Sequence, residues 1–370
     1  MVRPSEPEAG RDDASPPDDH PGGGRTDRST GRLDDLIANF DPNPVVRGRQ
    51  FEAVCRWFLL HSPVYQPLLR RVWFWRDWPG RWGADAGIDL VAEAHDGILW
   101  AIQAKAYDPV HTITKADVDT FLSESARPHF AFRLLIATTN RIGTTARRTL
   151  DQQEKPAHLL MSADLEWAEI VWPASPNDLR AAPVAPRTPM PHQREAVQVV
   201  LARFQHADRG QLLMACGTGK TLTALWIAEG LKSQRTLVLV PSLSLLAQTL
   251  REWTANASAP FAFLAVCSDE TVVDNDQVVA KTSELGVPVT AEPAAITAFM
   301  RGSGPRVVFA TYQSSPRLAL AVTLGAPRFD MAIADEAHRC AGTAGGAFAT
   351  ILDPEAIRAA RRLFMTATPR

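Results

Sequence analysis

The sequence has few cysteines, no long apolar run and almost no excess of charge. Its four cysteines lie far apart with no CxxC pair, which argues against a disulfide framework or a zinc site. No stretch approaches the length needed to cross a bilayer, and no charged-then-apolar leader opens the chain, so the sequence predicts a cytoplasmic protein with no membrane partner. A net charge of −2 gives no overall signal for nucleic acid, so any DNA contact must come from local patches.

Composition divides the chain into segments. Residues 1–32 are rich in Pro, Gly, Asp and Arg with almost no apolar side chains, and are predicted to be a disordered tail. The rest is long enough for two domains. The proline-rich stretch "SPNDLRAAPVAPRTPMP" is the linker candidate. We therefore expect a first domain over 33–176, a linker over 177–189 and a second domain over 190–370.

The apolar patterns differ between the two domains. In the first, "RGRQFEAVCRWFLL" spaces its apolar residues like one face of a helix, a second helix is expected near Lys115–Ser125, and "AFRLLIATTN" reads as a strand. The second domain alternates strand and helix patterns from "QLLMA" to "FDMAIAD", which predicts a parallel sheet. The whole chain is therefore predicted to be of the α/β class.

Eight of the ten tryptophans precede the linker, several of them in "VWFWRDWPGRW". Such a cluster can form a stacking surface for bases. It can also cap a small core with large apolar side chains, which is the interpretation we favour.

The stretch "GIDLVAEAHDGILWAIQAKAY" reads as two apolar strands joined by a tight turn. With the turn at His95–Gly97, Asp89 lies directly opposite Gln103. Side chains alternate along a strand, so Gln103 and Lys105 share one face with Asp89. The opposite face is predicted to be core and carries Ile88, Leu90, Ile98, Trp100 and Ile102.

These three polar side chains suit phosphodiester hydrolysis. The Asp89 carboxylate and the Gln103 carbonyl can hold a divalent metal, and Lys105 can orient or help deprotonate an attacking water and stabilise developing charge. A simpler interpretation is the solvent-exposed face of an edge hairpin. We favour the metal site because Val91 and Ala101, the neighbours on that face, are apolar.

This arrangement resembles the core of PD-(D/E)xK nucleases in its Mrr-like variant, where Gln replaces the middle acid. "GADAGIDL" and the "FE" of the preceding helix support the resemblance. It implies a mixed sheet flanked by helices, Mg²⁺ as cofactor and DNA as substrate, with Glu52 as an additional acid beside the metal and Asp85 as a further polar contributor. The neutral Gln103 binds Mg²⁺ less strongly than a carboxylate would.

The net charge of this domain also predicts weak binding, in this case of DNA. Between residues 33 and 176, 15 Lys and Arg stand against 18 Asp and Glu, a net charge of −3. Non-specific DNA affinity needs several cationic contacts. The candidates are Arg70, Arg71, Arg141, Arg147 and Arg148. Weak metal binding and weak DNA affinity together predict that cleavage depends on a motor that delivers DNA.

The octapeptide "MACGTGKT" lies between a predicted strand and a predicted helix, where a phosphate loop belongs. Its glycines let backbone N–H groups turn onto phosphate, Lys220 is expected to reach the β- and γ-phosphates, and Thr221 to offer its hydroxyl to Mg²⁺. The sequence therefore predicts an ATP site whose loop residues are Gly217, Thr218 and Gly219.

"DEAH" follows the apolar strand "FDMAIA", so its carboxylates are expected at a strand's C-terminal end beside the phosphate loop. Asp335 would hold Mg²⁺ and Glu336 would activate the hydrolytic water. The two motifs resemble those of the first RecA-like lobe of superfamily-two helicases, in which Met214 is a normal departure from the general loop. "VPSLSLLAQ", "ATYQS" and "MTATPR" extend the resemblance. It implies a nucleotide contact by His338 and adenine reading by Gln193 of "PMPHQREAV".

A nuclease of this kind ahead of a DEAH motor resembles the single-polypeptide Type I-like (Type ISP) restriction-modification enzymes over about residues 33–370. The resemblance implies ATP-driven translocation followed by cutting of double-stranded DNA. Because the sequence ends with "MTATPR", which matches motif III of the helicases, it also implies a longer chain with a second RecA-like lobe, a methyltransferase and a target-recognition domain. Two alternatives stay open: a modification-dependent (Type IV-like) nuclease–helicase, and a catalytically silent DNA-binding fragment.

Overall fold

The computed structural model describes residues 31–84, 86–182, 184–268, 281–338 and 347–367. They contain a five-stranded sheet, a seven-stranded sheet and a small two-stranded sheet. The predicted α/β class is confirmed. The predicted tail lies outside the described residues except for its last two positions. None of the described helices combines the length and the apolar character needed to cross a membrane.

The first domain is built on a mixed sheet of strand order β1-β2-β3-β5-β7. Strands β1 to β3 are antiparallel, whereas β3, β5 and β7 run parallel. Its strands are β1 Leu69–Phe74, β2 Leu90–Ala94, β3 Leu99–Lys105, β4 Thr112–Ile113, β5 Phe130–Ala137, β6 Arg141–Ile142 and β7 Ala157–Leu160. Its helices are α1 Leu33–Ala38, α2 Pro44–His61, α3 Lys115–Ser125, α4 Thr144–Asp151 and α5 Ser162–Glu166. The predicted mixed sheet flanked by helices is therefore confirmed.

Helix α2 carries the apolar face that the residue spacing predicted. The Asn43 side chain accepts a hydrogen bond from the backbone N–H of Val45 at 3.0 Å, and Pro44 occupies the first turn, so local sequence fixes where the helix begins. The helix packs against β1 and β3. Its buried apolar residues include Phe51, Val54, Trp57 and Phe58.

Strands β2 and β3 pair in the predicted register. Leu90 faces Ile102, which places Asp89 opposite Gln103. The hairpin does not lie at the edge of the sheet, because β1 pairs with β2 and β5 pairs with β3. The edge-hairpin interpretation of its polar residues is therefore wrong.

Both faces of this hairpin are buried, since α2 covers one and α3 the other. The prediction of a single core face was wrong at two residues. Ile88 precedes β2 and packs with Val91 and Ala101 on the α3 side. Ile98 lies beside the turn and is 43% exposed. The helical layer on the second face is a tertiary feature that alternation along the strands does not reveal.

The aromatic cluster belongs mainly to the core. Trp75 and Trp78 are buried, with ring centres 5.5 Å apart, and Trp78 also contacts Phe130. The interpretation of these side chains as a core cap is confirmed.

The second domain is built on a parallel sheet of strand order β11-β10-β12-β9-β13-β14-β8, which confirms the predicted parallel arrangement. Its strands are β8 Arg209–Leu213, β9 Arg235–Val240, β10 Ala262–Val266, β11 Val289–Thr290, β12 Arg306–Thr311, β13 Phe329–Ala334 and β14 Ala359–Thr366. Its helices are α6 Pro191–Arg203, α7 Lys220–Gly230, α8 Leu243–Asn256, α9 Pro293–Arg301 and α10 Ser315–Thr323.

The two domains meet at a packed joint, formed by β7 and α5 on one side and by α8 and the 3₁₀ helix Thr282–Leu285 on the other. The Tyr65 hydroxyl donates to the Gly286 carbonyl at 2.9 Å. Arg147 Nη1 lies 2.7 Å from Glu284 Oε1. Arg147, one of the candidate DNA contacts, therefore pairs with an acid of the other domain.

We expect Gly286→Ala to loosen this joint. Gly286 has φ +64°, and a Cβ there would lie 2.8 Å from Leu160 Cδ2 and 3.0 Å from Tyr65 Oη. Gly304 is the matched control, because it has φ +76° with no described atom within 4 Å of its Cβ position. Both alanines strain the backbone, but only the one at 286 also overpacks. Urea unfolding should show G286A less stable than G304A by about 1–3 kcal/mol. Equal losses would contradict a tightly packed joint.

Candidate nuclease and nucleotide sites

The first candidate site lies at the end of the β2–β3 hairpin. Asp89 Oδ2 accepts a hydrogen bond from the backbone N–H of Ala104 at 2.7 Å. Gln103 is only 4% exposed, and its Nε2 donates to the Gly87 carbonyl at 2.9 Å. Its Oε1 is buried with no hydrogen-bond partner among the described residues. A buried acceptor normally has a partner, so this oxygen is suited to a ligand, and amide oxygens are accepted by Mg²⁺ and Ca²⁺.

Lys105 completes the predicted trio. It is the last residue of β3, two positions beyond Gln103 and so on the same face. Its Nζ lies 6.0 Å from the centre of the Tyr107 ring. The Tyr107 hydroxyl in turn donates to Asp117 at 2.7 Å, which fixes the ring. The ammonium group therefore lies near the end of β3, beside the Tyr107 ring.

Glu52 reaches the same site from α2. Burial, and then the negative charge of Asp89, raise the pKa of its carboxyl to about 7, while Arg76 and Arg49 oppose the shift. The thiol of Cys55, one turn along the helix, has its pKa raised by burial and then by Asp89 and Glu52. Two acids distant in sequence are thus close in space.

Asp85, the other predicted contributor, lies outside the described residues. Within the described part of the chain, no group of three or more His, Cys, Asp or Glu residues could hold a metal ion. Among the described residues, the Gln103 oxygen is therefore a candidate ligand in addition to the carboxylates of Asp89 and Glu52.

The second candidate site begins at the loop between β8 and α7. Gly217 and Gly219 have φ of +77° and +82°, the left-handed conformation that glycine tolerates. A Cβ on Gly219 would lie 2.3 Å from Gln193 Nε2, whereas no described atom lies within 4 Å of a Cβ on Gly217. The loop therefore leaves open space at Gly217, whereas Gln193 fills the space at Gly219. Lys220 and Thr221 follow directly at the start of α7.

The end of β13 brings the DEAH residues to this loop, as predicted. Lys220 Nζ lies 3.6 Å from Glu336 Oε1. His338 Nδ1 lies 3.3 Å from Glu336 Oε2 and 3.1 Å from the Thr366 hydroxyl of β14. Glu336 has φ +48°, which is uncommon for a residue with a side chain and recurs at functional sites. A lysine, a carboxylate and an imidazole are thus held within contact distance.

Asp335 lies deeper than Glu336. It is 7% exposed, and burial, followed by the charge of Glu336, raises the pKa of its carboxyl to about 6. Its backbone carbonyl accepts a hydrogen bond from the buried Tyr312 hydroxyl at 2.6 Å. A carboxylate in this setting gains from a bound cation, which suits the predicted contact with Mg²⁺.

Both polar atoms of the Gln193 side chain form hydrogen bonds within the protein. Its Oε1 accepts from the Met190 backbone N–H at 2.8 Å, and its Nε2 donates to the Thr218 carbonyl at 2.9 Å. In this conformation it supports the phosphate loop, and adenine reading stays a prediction. Thr218 likewise turns its hydroxyl back to the Ala215 carbonyl at 2.7 Å.

Sequence reasoning missed three supporting contacts. Trp253 of α8 donates its Nε1–H to the Thr221 carbonyl at 2.9 Å, so α8 touches both the nucleotide site and the joint. Tyr312 supports Asp335, and Thr366 supports His338. Tyr312 and Thr366 belong to motifs that had been recognised, "ATYQS" and "MTATPR", which was a usable signal. Trp253 gave none. The last three residues of "MTATPR" lie outside the described residues.

Two family models match consecutive parts of the chain. Residues 60–180 match a family described as "Restriction endonuclease". Residues 187–370 match one described as "Type III restriction enzyme, res subunit". The first segment contains the hairpin site and the second contains the phosphate loop. The chain therefore consists of a restriction-endonuclease domain followed by a helicase-type lobe.

Known proteins share parts of this architecture. The Type ISP restriction-modification enzyme LlaBIII, solved bound to DNA, is 31% identical and covers 88% of this chain with a TM-score of 0.76. A nuclease-deletion mutant of the Type ISP enzyme LlaGI is 36% identical over 50% of this chain, with a TM-score of 0.41. A "probable helicase" of African swine fever virus is 34% identical over 182 residues, 48% of this chain. This chain spans 22%, 18% and 19% of those proteins, respectively.

Proposed function

We propose that this chain, which shares its two domains and their order with the Type ISP restriction-modification enzymes, is the DNA-cutting and DNA-moving part of a restriction enzyme. The observation that carries the nuclease assignment is the buried Gln103 Oε1 opposite Asp89, which has no hydrogen-bond partner among the described residues. An amide oxygen and a carboxylate on directly opposite strand positions can together hold a cation. Double-stranded DNA is the proposed substrate.

In the nuclease domain, the Asp89 carboxylate and the Gln103 carbonyl would hold Mg²⁺, with Glu52 and Asp85 as supporting acids. When bound, the ion stabilises the negative charge that develops on a phosphodiester under attack. Lys105 orients the attacking water through its ammonium group and shares in stabilising that charge. Because the neutral amide is a weaker ligand than a carboxylate, the site works only when Mg²⁺ is abundant.

In the motor domain, Gly217, Thr218 and Gly219 present backbone N–H groups to ATP phosphates. Lys220 neutralises the β- and γ-phosphates, while Thr221 and Asp335 would hold Mg²⁺. Glu336 accepts the proton of the attacking water. Its neighbour His338 holds the Glu336 carboxylate in place on the nucleotide side, and Gln193 supports the loop and reads adenine.

We further propose that cutting follows ATP-driven translocation. The nuclease domain has a net charge of −3 over residues 33–176 and one neutral metal ligand, so it binds DNA and metal weakly alone. We also propose, from the resemblance of the sequence motifs, that a second RecA-like lobe, a methyltransferase and a target-recognition domain are partners on a longer protein. LlaBIII, of which this chain spans 22%, is a restriction-modification enzyme. If the whole enzyme cut DNA equally fast without ATP, at physiological salt and millimolar Mg²⁺, this coupling would be refuted.

The nuclease assignment is tested by Gln103→Met, which keeps the side-chain length and removes the oxygen. Loss of a residue that only supports a ligand typically costs about 10–100-fold in metal affinity, so loss of a direct ligand should raise the Mg²⁺ concentration for half-maximal plasmid nicking by at least about 10-fold. Gln66→Met, at an exposed glutamine of the same domain, is the control and should leave the titration unchanged. An unaltered Mg²⁺ requirement in a folded Q103M protein would show that Gln103 is not a ligand.

A further inference from the structure

Two arginines lie beside the acids of the nuclease site without an effective partner of their own. Arg49 is exposed and forms no ion pair with any described residue. Arg76 is paired with Asp77 at 3.9 Å, and the two side chains are 62% and 59% exposed. Such an exposed pair contributes little free energy. Both guanidinium groups are therefore available to an anion.

Backbone geometry places Arg76 at the site. The N–H of Trp75, the residue before it, donates to the Asp89 carbonyl at 2.8 Å. The Arg76 guanidinium carbon lies 4.7 Å from the centre of the Phe74 ring, and that of Arg56 lies 5.3 Å from the same ring. An aromatic face attracts a cation and restricts its side chain. Arg76 is thus partly preorganised beside the acid.

Helix geometry places Arg49 beside Glu52. Arg49 and Glu52 are three residues apart on α2, so they occupy neighbouring positions on one face. Val45, one turn earlier on that face, is 64% exposed, which shows that the described protein leaves this part of the helix uncovered. Arg49 and Arg76 are also the two cations that lower the pKa of Glu52 against the effect of burial. The two guanidinium groups therefore both lie near one acidic centre.

We propose that Arg49 and Arg76 bind backbone phosphates of DNA on either side of the phosphodiester placed at Asp89 and Gln103. The inference rests on the proposed nuclease function. Guanidinium groups bind phosphate in two parallel hydrogen bonds, so they both attract the backbone and fix its position. The acids take the metal and the flanking arginines take the neighbouring phosphates. These residues supply a local cationic patch that the net charge of the domain conceals.

The experiment measures the affinity of the chain for a short DNA duplex by fluorescence anisotropy in Ca²⁺, across a salt series, together with plasmid nicking in Mg²⁺. Each lost phosphate contact lowers the slope of log K against log salt by about 0.9. We expect Arg49→Gln and Arg76→Gln each to weaken binding and lower the slope by about that amount, and to raise KM for nicking more than they lower kcat. Arg49→Lys, which keeps the charge, should retain most of the slope.

Arg127→Gln is the matched control. Arg127 is a half-exposed arginine of the same domain that stacks on Trp82 at 4.1 Å and pairs with Glu124. It should leave the salt slope unchanged. If R49Q and R76Q behave like R127Q while the wild type nicks DNA, the phosphate-binding role is refuted and the nuclease function stands. If the slopes fall as expected but no variant nicks, wild type included, the phosphate sites stand and the nuclease function is refuted.

Discussion

Replacing Asp89 by Asn should lower the rate of metal-dependent DNA cleavage by about 10³-fold or more. The carboxylate is the charged ligand of the proposed metal site, and a bound ion contributes several kcal/mol to stabilising a phosphodiester transition state. The fold should be retained. The Asn oxygen can still accept the backbone hydrogen bond that Ala104 donates to Asp89 in the wild type. The measurement is the initial rate of supercoiled plasmid nicking at saturating Mg²⁺ or Mn²⁺.

Glu93→Gln is the control for this prediction. Glu93 belongs to the same strand β2 and is half-buried, but it pairs with Arg70 at 3.7 Å away from the site. Its loss should leave the nicking rate within about twofold of the wild type, because a pair of this kind contributes roughly 0–1 kcal/mol to stability and touches no reacting group. A D89N protein that is folded and still nicks at the rate of E93Q would remove Asp89 from the mechanism.

Replacing Lys220 by Met should weaken nucleotide binding by about 10–100-fold. Lys220 is 10% exposed at its side chain and lies 3.6 Å from Glu336, so its ammonium group is already directed into the site. A hydrogen bond to a charged group contributes about 1.5–3 kcal/mol, and each 1.4 kcal/mol is a factor of ten in affinity. The measurement is titration of the chain with a fluorescent ATP analogue in Mg²⁺.

Lys232→Met is the control for the nucleotide site. Lys232 follows the C-terminal end of α7, the helix that Lys220 begins, and it is exposed. The Lys232→Met variant therefore removes the same charge as Lys220→Met, but from the opposite end of the same helix. We expect its affinity for the analogue to match the wild type. Equal weakening in both variants would mean that overall charge, rather than a phosphate contact, controls nucleotide binding.

The parts of this structure that sequence could predict depend on local chemistry. The tight turn at His95–Gly97 and the alternation of the strands fix the register that places Asp89 opposite Gln103. The glycines and the lysine between β8 and α7 specify the phosphate loop in the same local way. Asn43 and Pro44 specify where α2 begins. Each of these features is decided within a few residues along the chain.

The parts that sequence could not predict depend on how elements dock. Glu52 approaches Asp89 because α2 packs on the sheet, and only the family resemblance suggested it. Arg147 was a candidate DNA contact, but the joint brings Glu284 to it from the other domain. The second buried face of the hairpin has the same origin, since α3 covers it. The spacing of residues within one segment cannot predict contacts between elements that are distant in the sequence.

The central claim is that one chain carries two separate sites, a nuclease centre at Asp89 and a nucleotide centre at Lys220. The most direct test measures both activities, plasmid nicking without ATP and binding of the ATP analogue, in both variants from parallel preparations with matched thermal unfolding. The account predicts that D89N loses nicking and binds the analogue like the wild type, while K220M loses analogue binding and nicks like the wild type. Loss of both activities in either folded variant would contradict it.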